Sequence, residues 1–402
     1  MKKQLLTTTA AIAMVGGAAT AQEWDVRVGG YYNTYVGISS ISGTADNLGG
    51  PLFGTDFDGV QIQKDAEVHV VPSITLDNGL TFGANIQYET ARAPATDEVY
   101  IFISGDSLGT IEIGSENSAG YKMSIGAPSV GGVPINSGSV SGFVPFVTSG
   151  AASSPAGVGI VNSFVGAGYS SYVEVGGALY GNSDIQRISY YTPSFNGFKV
   201  GVSYAPGTAS GVDGASGIVD RSTSTLSDVF DIGLSYDQTF GSTSVSLSAR
   251  WGTADIATGA TAFGLPVTSD PEAWAIGAQV GFGDFTIGGS YAENDNGVTG
   301  GTGDEEGWTF GATYDLAGPW RIGFEYLHGE GDHGLAGAGT KDEMDIYKLA
   351  ASRDLGPGVT WAVSLLYTEV DAADAALGGL LGGATGTDLK ATTLSTSISL
   401  SF

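Results

Sequence analysis

The chain is 402 residues long, holds 65 glycines and no cysteine, and carries a formal net charge of −27 at pH 7. Glycine stands far above its average usage of about 7%, and the absence of cysteine excludes disulfides and thiolate metal sites. So acidic a chain is excluded from the nucleic-acid binders, which neutralise phosphates with lysine and arginine.

Lys2 and Lys3 form a charged start, Leu5 to Val15 is a short apolar run broken by threonines, and small residues lead to Ala19-Thr20-Ala21. That is the pattern of a secretory signal with an A-x-A cleavage site, so 1–21 is expected to be removed. The mature chain, 22–402, would have 402 − 21 = 381 residues, with 13 basic against 42 acidic side chains. Neither the leader nor any later stretch reaches the roughly 18 apolar residues of a spanning helix. The sparse, mostly acidic charges point to carboxylate-rich external loops. Such loops can hold divalent cations and favour cation passage, and solvation of the loops accounts for the acidity equally well.

After the leader, period-2 alternation recurs along the chain. Leu80, Phe82, Ala84, Ile86 and Tyr88 alternate with Thr81, Gly83, Asn85, Gln87 and Glu89. Val245, Leu247, Ala249 and Trp251 alternate with three serines and Arg250. Trp308 to Tyr314, Trp320 to Tyr326 and Trp361 to Tyr367 repeat the pattern. Aromatics often stand first or last in each set, as an interfacial girdle requires. Two stretches break phase. Lys64 falls on the parity of Val60, Ile62, Val68 and Val70, and Asp345 to Ser352 mixes both parities. A bulge would reset the phase; a neighbouring subunit in place of lipid would also explain it. These breaks leave fourteen or eighteen strands open beside sixteen.

The connections alternate in length. Short turns fall near 77–79, 106–109, 193–197, 238–242, 283, 317–318 and 354–358; longer segments lie near 39–59, 90–96, 116–185, 206–227, 252–271, 294–306, 330–342 and 371–387. Seven short turns and eight longer loops join 16 strands. Tight periplasmic turns and longer external loops are the asymmetry of an outer-membrane barrel, and an even strand number puts both termini on the periplasmic side. The chain closes on KATTLSTSISLSF, in which Leu394, Ile398, Leu400 and Phe402 share one parity and Ser395, Ser397, Ser399 and Ser401 the other. One oily face and one hydroxyl face fit a wall between lipid and water. The expected fold is therefore all-β: a 16-stranded antiparallel transmembrane β-barrel, residues 22–402, multi-pass in the outer membrane of a Gram-negative bacterium. A soluble sandwich or propeller also alternates, but explains neither the outward aromatics nor the short–long rhythm.

Sixteen strands enclose an aqueous channel. The third long segment, 116–185, dwarfs the others and contains Gly131-Gly132-Val133-Pro134 and Phe143-Val144-Pro145-Phe146. Loops of this length are functional or disordered, and its apolar residues argue for packing. Folding into the lumen as a constriction loop would supply that packing; lying over the mouth or a neighbour is the alternative.

Gly109 to Gly114 (GTIEIG) resembles the strand that leads into the constriction loop of Gram-negative general porins. Asp184 to Tyr204 is similar to that family's strand–turn–strand after the loop. The overall character is most similar to alphaproteobacterial porins. The resemblance implies a homotrimer of 16-stranded barrels that passes small hydrophilic solutes by diffusion. It also implies contact with outer-membrane lipid and lipopolysaccharide, and a C-terminal aromatic strand, ending at Phe402, read by the barrel-assembly machinery. Members set a transverse field between basic wall residues and an acidic inserted loop. The inward-parity basic candidates here are Arg27, Arg187, Lys199, Arg250 and Arg321; an arginine facing lipid at mid-depth would cost about 2–4 kcal/mol. The acidic candidates are Glu112 and Glu116. Between Asn117 and Tyr172 there is no acidic residue, a departure from the family pattern.

No catalytic chemistry is expected. The histidines are His69, His328 and His333, and no G-x-S-x-G frames a nucleophile. Calcium on Asp304, Glu305 and Glu306 is one metal the loop carboxylates suggest, and His328, Glu330, Asp332 and His333 offer a second set, with a solvated loop as the alternative. A diffusion porin is the leading reading. A substrate-specific channel, with Tyr31, Tyr35, Tyr100 and Tyr191 facing inward, and a structural or adhesive barrel with a plugged lumen are the alternatives.

Overall fold

The computed structural model describes residues 23–43, 58–90, 95–133, 135, 184–208, 219, 221, 226–256, 261–262, 265–266, 268–295, 297, 304–331, 342–372 and 387–402. The expected leader and most of the segment 116–185 lie outside the described residues.

The wall strands are β1 (Asp25–Gly43), β2 (Gly59–Thr75), β3 (Thr81–Glu89), β4 (Ala95–Gly105), β5 (Gly109–Glu116), β6 (Ile185–Tyr191), β7 (Phe198–Gly207), β8 (Leu226–Phe240) and β9 (Thr243–Ile256). A two-residue hairpin follows, β10 (Thr261–Ala262) with β11 (Leu265–Pro266). The wall resumes with β12 (Glu272–Phe282), β13 (Phe285–Asp295), β14 (Glu305–Asp315), β15 (Trp320–Gly331), β16 (Asp342–Gly356), β17 (Val359–Ala372) and β18 (Thr387–Ser401). Each wall strand pairs antiparallel with its chain neighbours, and β18 closes on β1, giving a sixteen-stranded closed barrel. At the seam Gly30 donates to the Phe402 carbonyl (3.0 Å) and Phe402 donates back to Gly30 (3.1 Å), so the last residue completes the ladder. Closure leaves the wall without an open edge, which a lipid-embedded backbone demands because no water is present to satisfy it.

Alternation sorts the side chains between lipid and lumen. Outward aromatics gather in two belts. One lies toward the long loops, where Trp308 packs on Tyr326 (4.7 Å between centroids) and Tyr326 on Tyr347 (4.7 Å). The other flanks the short turns, where Phe285 meets Tyr314 (4.3 Å) and Trp320 meets Trp361 (5.5 Å). Aromatic rings at both membrane–water levels anchor the barrel's depth.

The two phase breaks have different causes. β2 pairs with β1 without a register shift from Gly59 to Ser73, so no bulge resets Lys64, which stays on the outward row opposite Thr34. In β16 Tyr347 and Leu349 face outward, while Met344 and Ile346 turn inward and are fully buried, as are Leu327 of β15 and Leu366 of β17. Both parities are mixed there because the lumen side of this sector is packed, with apolar residues around the buried Lys348, rather than wetted.

Candidate functional site: the lumen and its inserted segment

After Glu116 the chain turns into the barrel. Ser118 caps the five-residue helix α1 (Ala119–Met123), accepting from the Tyr121 N–H at 3.3 Å. Ala119 and Met123 are buried with Tyr191 of β6. The chain then runs along the inner wall. Ile125 donates to Ser248 of β9 (2.9 Å), and Gln279 of β12 donates to the Gly126 carbonyl (2.8 Å). Val130 reaches β15 and β16, and Gly132 lies against Ser364 of β17.

A line of inward glycines makes the seat. A Cβ added at Gly233 would meet Gly120, at Gly277 the Ile125 carbonyl, at Gly311 the Pro128 carbonyl, and at Gly323 the Val130 side chain. Part of the chain's high glycine content is therefore room for a second layer of backbone. Ala127, Val130, Val133 and Ile135 are buried in that layer.

Two buried ion pairs pin the segment. Asp231 of β8 accepts from the Gly120 N–H and pairs with Arg250 of β9 at 3.2 Å; the two side chains are 3% and 2% exposed. Ala119 is held alongside by the Ser203 hydroxyl (2.6 Å). Glu325 of β15 pairs with Lys348 of β16 at 2.8 Å, their side chains 2% and 1% exposed. The same Glu325 oxygen accepts from Ser129 Oγ (3.0 Å) and the Val130 N–H (3.3 Å), while Lys348 donates to the Val130 carbonyl (2.9 Å). Both polar groups of the Val130 backbone are thus taken by the wall, and each buried charge has a counter-charge and hydrogen-bond partners, the condition under which burial is tolerable.

Where the segment enters, a second cluster forms. Lys122 of α1 lies 2.8 Å from Glu112 and 3.2 Å from Glu116, both inward on β5. Its ammonium stands over the rings of Tyr100 (5.0 Å) and Tyr191 (5.6 Å). Glu98 of β4 accepts from Asn117 (2.7 Å) and from Gln87. Asp184, just before β6, has its carboxyl pushed up to about 7 by burial and by the nearby Asp97 charge. On the inner face of β1–β4, Tyr31 donates to Glu67 (2.7 Å), His69 bonds the same carboxylate (2.8 Å) and Asn85 donates to Tyr100 (3.0 Å).

The structure brings some sequence candidates together and separates others. Glu112, Glu116, Arg187 and Lys199 share the inner face of β5–β7, with Arg187 buried and Lys199 5.0 Å from the Tyr191 ring. Arg250 is in the α1 clamp. Arg27, beside Asp25 at 3.5 Å, and Arg321, paired with Asp315 across the β14–β15 turn, sit at the short-turn rim. Asp304 precedes β14, whose alternation sends Glu305 inward to Asn294 and Glu306 outward to Tyr291. Among the described residues no group of three or more His, Cys, Asp or Glu is arranged to hold a metal ion. Sequence reasoning missed Lys122, Asp231, Glu325 and Lys348. Asp231 and Glu325 have the same inward parity that singled out the arginines.

Comparison with known proteins adds the family. A search of curated protein sequences finds no match. Among solved structures, OmpF of Salmonella typhi in complex with daunomycin aligns at a TM-score of 0.59 and 13% identity, covering 94% of this chain and 98% of that one. The outer-membrane channel DcaP of Acinetobacter baumannii aligns at 0.57 and 12% identity, covering 96% and 100%. The trimer form of OmpT, an outer-membrane protein of Vibrio cholerae, aligns at 0.56 and 12%, covering 94% and 99%. At these identities the structural likeness shows the fold alone. The model of the Gram-negative porins matches residues 8–373, and the chain, a sixteen-stranded barrel with a segment seated inside its lumen, belongs to the Gram-negative porin family, the outer-membrane channels of passive diffusion.

Proposed function

We propose that this porin is a general one, passing small hydrophilic solutes and ions without a dedicated binding site, and that it works as a homotrimer in contact with outer-membrane lipid and lipopolysaccharide. The observation that carries the reading is the seat of 117–133. Its backbone lies on the inner faces of β7–β9, β12 and β14–β17, while β1–β4 present polar side chains to the lumen. A segment held against the wall narrows a channel rather than plugging it. The trimer draws support from the OmpT trimer form, and from Lys64, a cation on the outward row between Ile62 and Ala66. An ammonium on a lipid-facing row is costly unless another subunit covers it. Phe402, closing the seam to Gly30, is the residue the assembly machinery would read. No catalytic role is assigned. Planar-bilayer recording tests the proposal: steady steps in groups of three support it, and no conductance sinks it. Block that saturates with one solute would favour a substrate-specific channel instead.

A further inference from the structure

The long insert is almost uncharged: from Asn117 to Ser183 it contains one cation, Lys122, and one anion, Glu174. The cation is inside the barrel, 2.8 Å from Glu112 and 3.2 Å from Glu116. Two wall cations near the seat are matched by wall carboxylates. Arg250 and Lys348 are buried against Asp231 and Glu325 and add no net charge to the aqueous path. Arg187 is buried in the wall at 3% exposure, as is Glu116, and Lys199 of β7 stands over the Tyr191 ring at 5.0 Å, on the ring that Lys122 also meets. The polarity at this point is the reverse of an acidic insert facing a basic wall: the insert brings the positive charge and the wall brings two carboxylates.

We propose that Lys122 is the residue that sets the channel's charge preference. One ammonium against two carboxylates leaves that cluster net negative, and the insert's share of its charge rests on a single lysine. The Tyr100 and Tyr191 rings on either side hold the ammonium in place, since a cation is attracted to their faces. At 27% side-chain exposure Lys122 still reaches water, so solutes feel its charge. The proposal rests on the porin reading and names what that pore prefers: small cations over anions of the same size.

The chain has no cysteine, so Lys122→Cys creates a unique thiol whose charge can be set on the folded channel. Reversal potentials in a KCl gradient across a planar bilayer give the potassium-to-chloride permeability ratio. A unit charge within several ångströms of the path, in water at about 0.1 M salt, should change that ratio about two- to fourfold. The ratio should rise in K122C, return toward wild type with a cationic methanethiosulfonate reagent, and rise further with an anionic one, labelling being checked by mass. Glu112→Gln, measured separately, should shift it toward anions and serves if K122C does not insert. A ratio indifferent to the charge of the label, with open-channel steps intact, overturns the proposal. Absence of conductance in the unmodified protein would instead overturn the porin reading.

Discussion

Removing one partner of the Glu325–Lys348 pair should free the inserted segment near Val130. The two side chains stand directly opposite each other on β15 and β16. Lys348→Met keeps the stem and deletes a charge that donates to Glu325 (2.8 Å) and to the Val130 carbonyl (2.9 Å). It leaves Glu325 charged at 2% side-chain exposure. Breaking a buried pair this way costs about 3–5 kcal/mol. The barrel ladders do not involve these side chains, so the loss falls on the attachment of the segment. About 3 kcal/mol raises the released fraction of the segment by roughly two orders of magnitude. Glu325→Gln should act in the same direction by leaving an ammonium buried. The double variant removes both charges and leaves the Gln carbonyl to accept from Ser129 and Val130, so it should recover by about 2 kcal/mol or more relative to the sum of the singles. Amide hydrogen exchange of a peptide covering 124–133 reads release directly, and single-channel records should show added noise and larger steps. Singles that exchange like wild type, or a double that is merely additive, would refute the clamp.

Gly277→Val places a side chain where the Ile125 carbonyl now lies, so it should lift the segment from β12 and change unit conductance; the same substitution at Gly356, where an added Cβ meets nothing within 4 Å and φ is not positive, should leave conductance alone. Deleting Phe402 removes two main-chain hydrogen bonds to Gly30 and should lower the yield of inserted barrel far more than the conductance of those that form, measured by heat-modifiable gel mobility beside bilayer steps. Because its carboxyl is pushed up to about 7, Asp184 is neutral in mild acid and ionises as pH rises through that value. It then adds a negative charge near Glu98, Glu116 and Arg187, so cation preference should climb over roughly one unit either side of pH 7; Asp184→Asn should flatten that step. Arg321→Gln, at the rim and already paired with Asp315, should change the permeability ratio less than K122C does.

The wall was legible because membrane and lumen impose opposite demands on alternate residues, and that demand prints itself as period 2. Each of the seven short turns expected from the sequence joins two wall strands, and Ser395 and Ser397 are buried on the lumen side where the hydroxyl face was expected. Legibility failed where one side of the wall stopped meeting water. In β16 the inward Met344 and Ile346 are packed as tightly as core residues beside the inward Lys348, so apolar and charged residues fell on both parities and the period dissolved. Lys64 is the opposite case: its register is regular and it stays on the outward row.

The site was less legible, for a reason that applies to any lumen crossed by its own chain. Parity says that Arg250, Asp231, Glu325 and Lys348 point inward, but it does not say at what height, or opposite which part of the insert. An unpaired inward arginine and one bound to a carboxylate across the ladder look alike in a list of residues. The pairing appears only once register sets Glu325 against Lys348 and places Asp231 two residues before Gly233, the partner of Arg250. The same holds for the glycines. Gly233, Gly277, Gly311 and Gly323 are spread over ninety residues, and each alone reads as a weak spot in a strand. Register brings them to one surface, and that surface is where the insert lies. An insert almost without charge can then be held by charge, because the wall supplies both signs and the backbone of Gly120 and Val130 supplies the dipoles between them. With those four wall charges matched in pairs, Lys122 is left to act on the water-filled path, against Glu112 and Glu116.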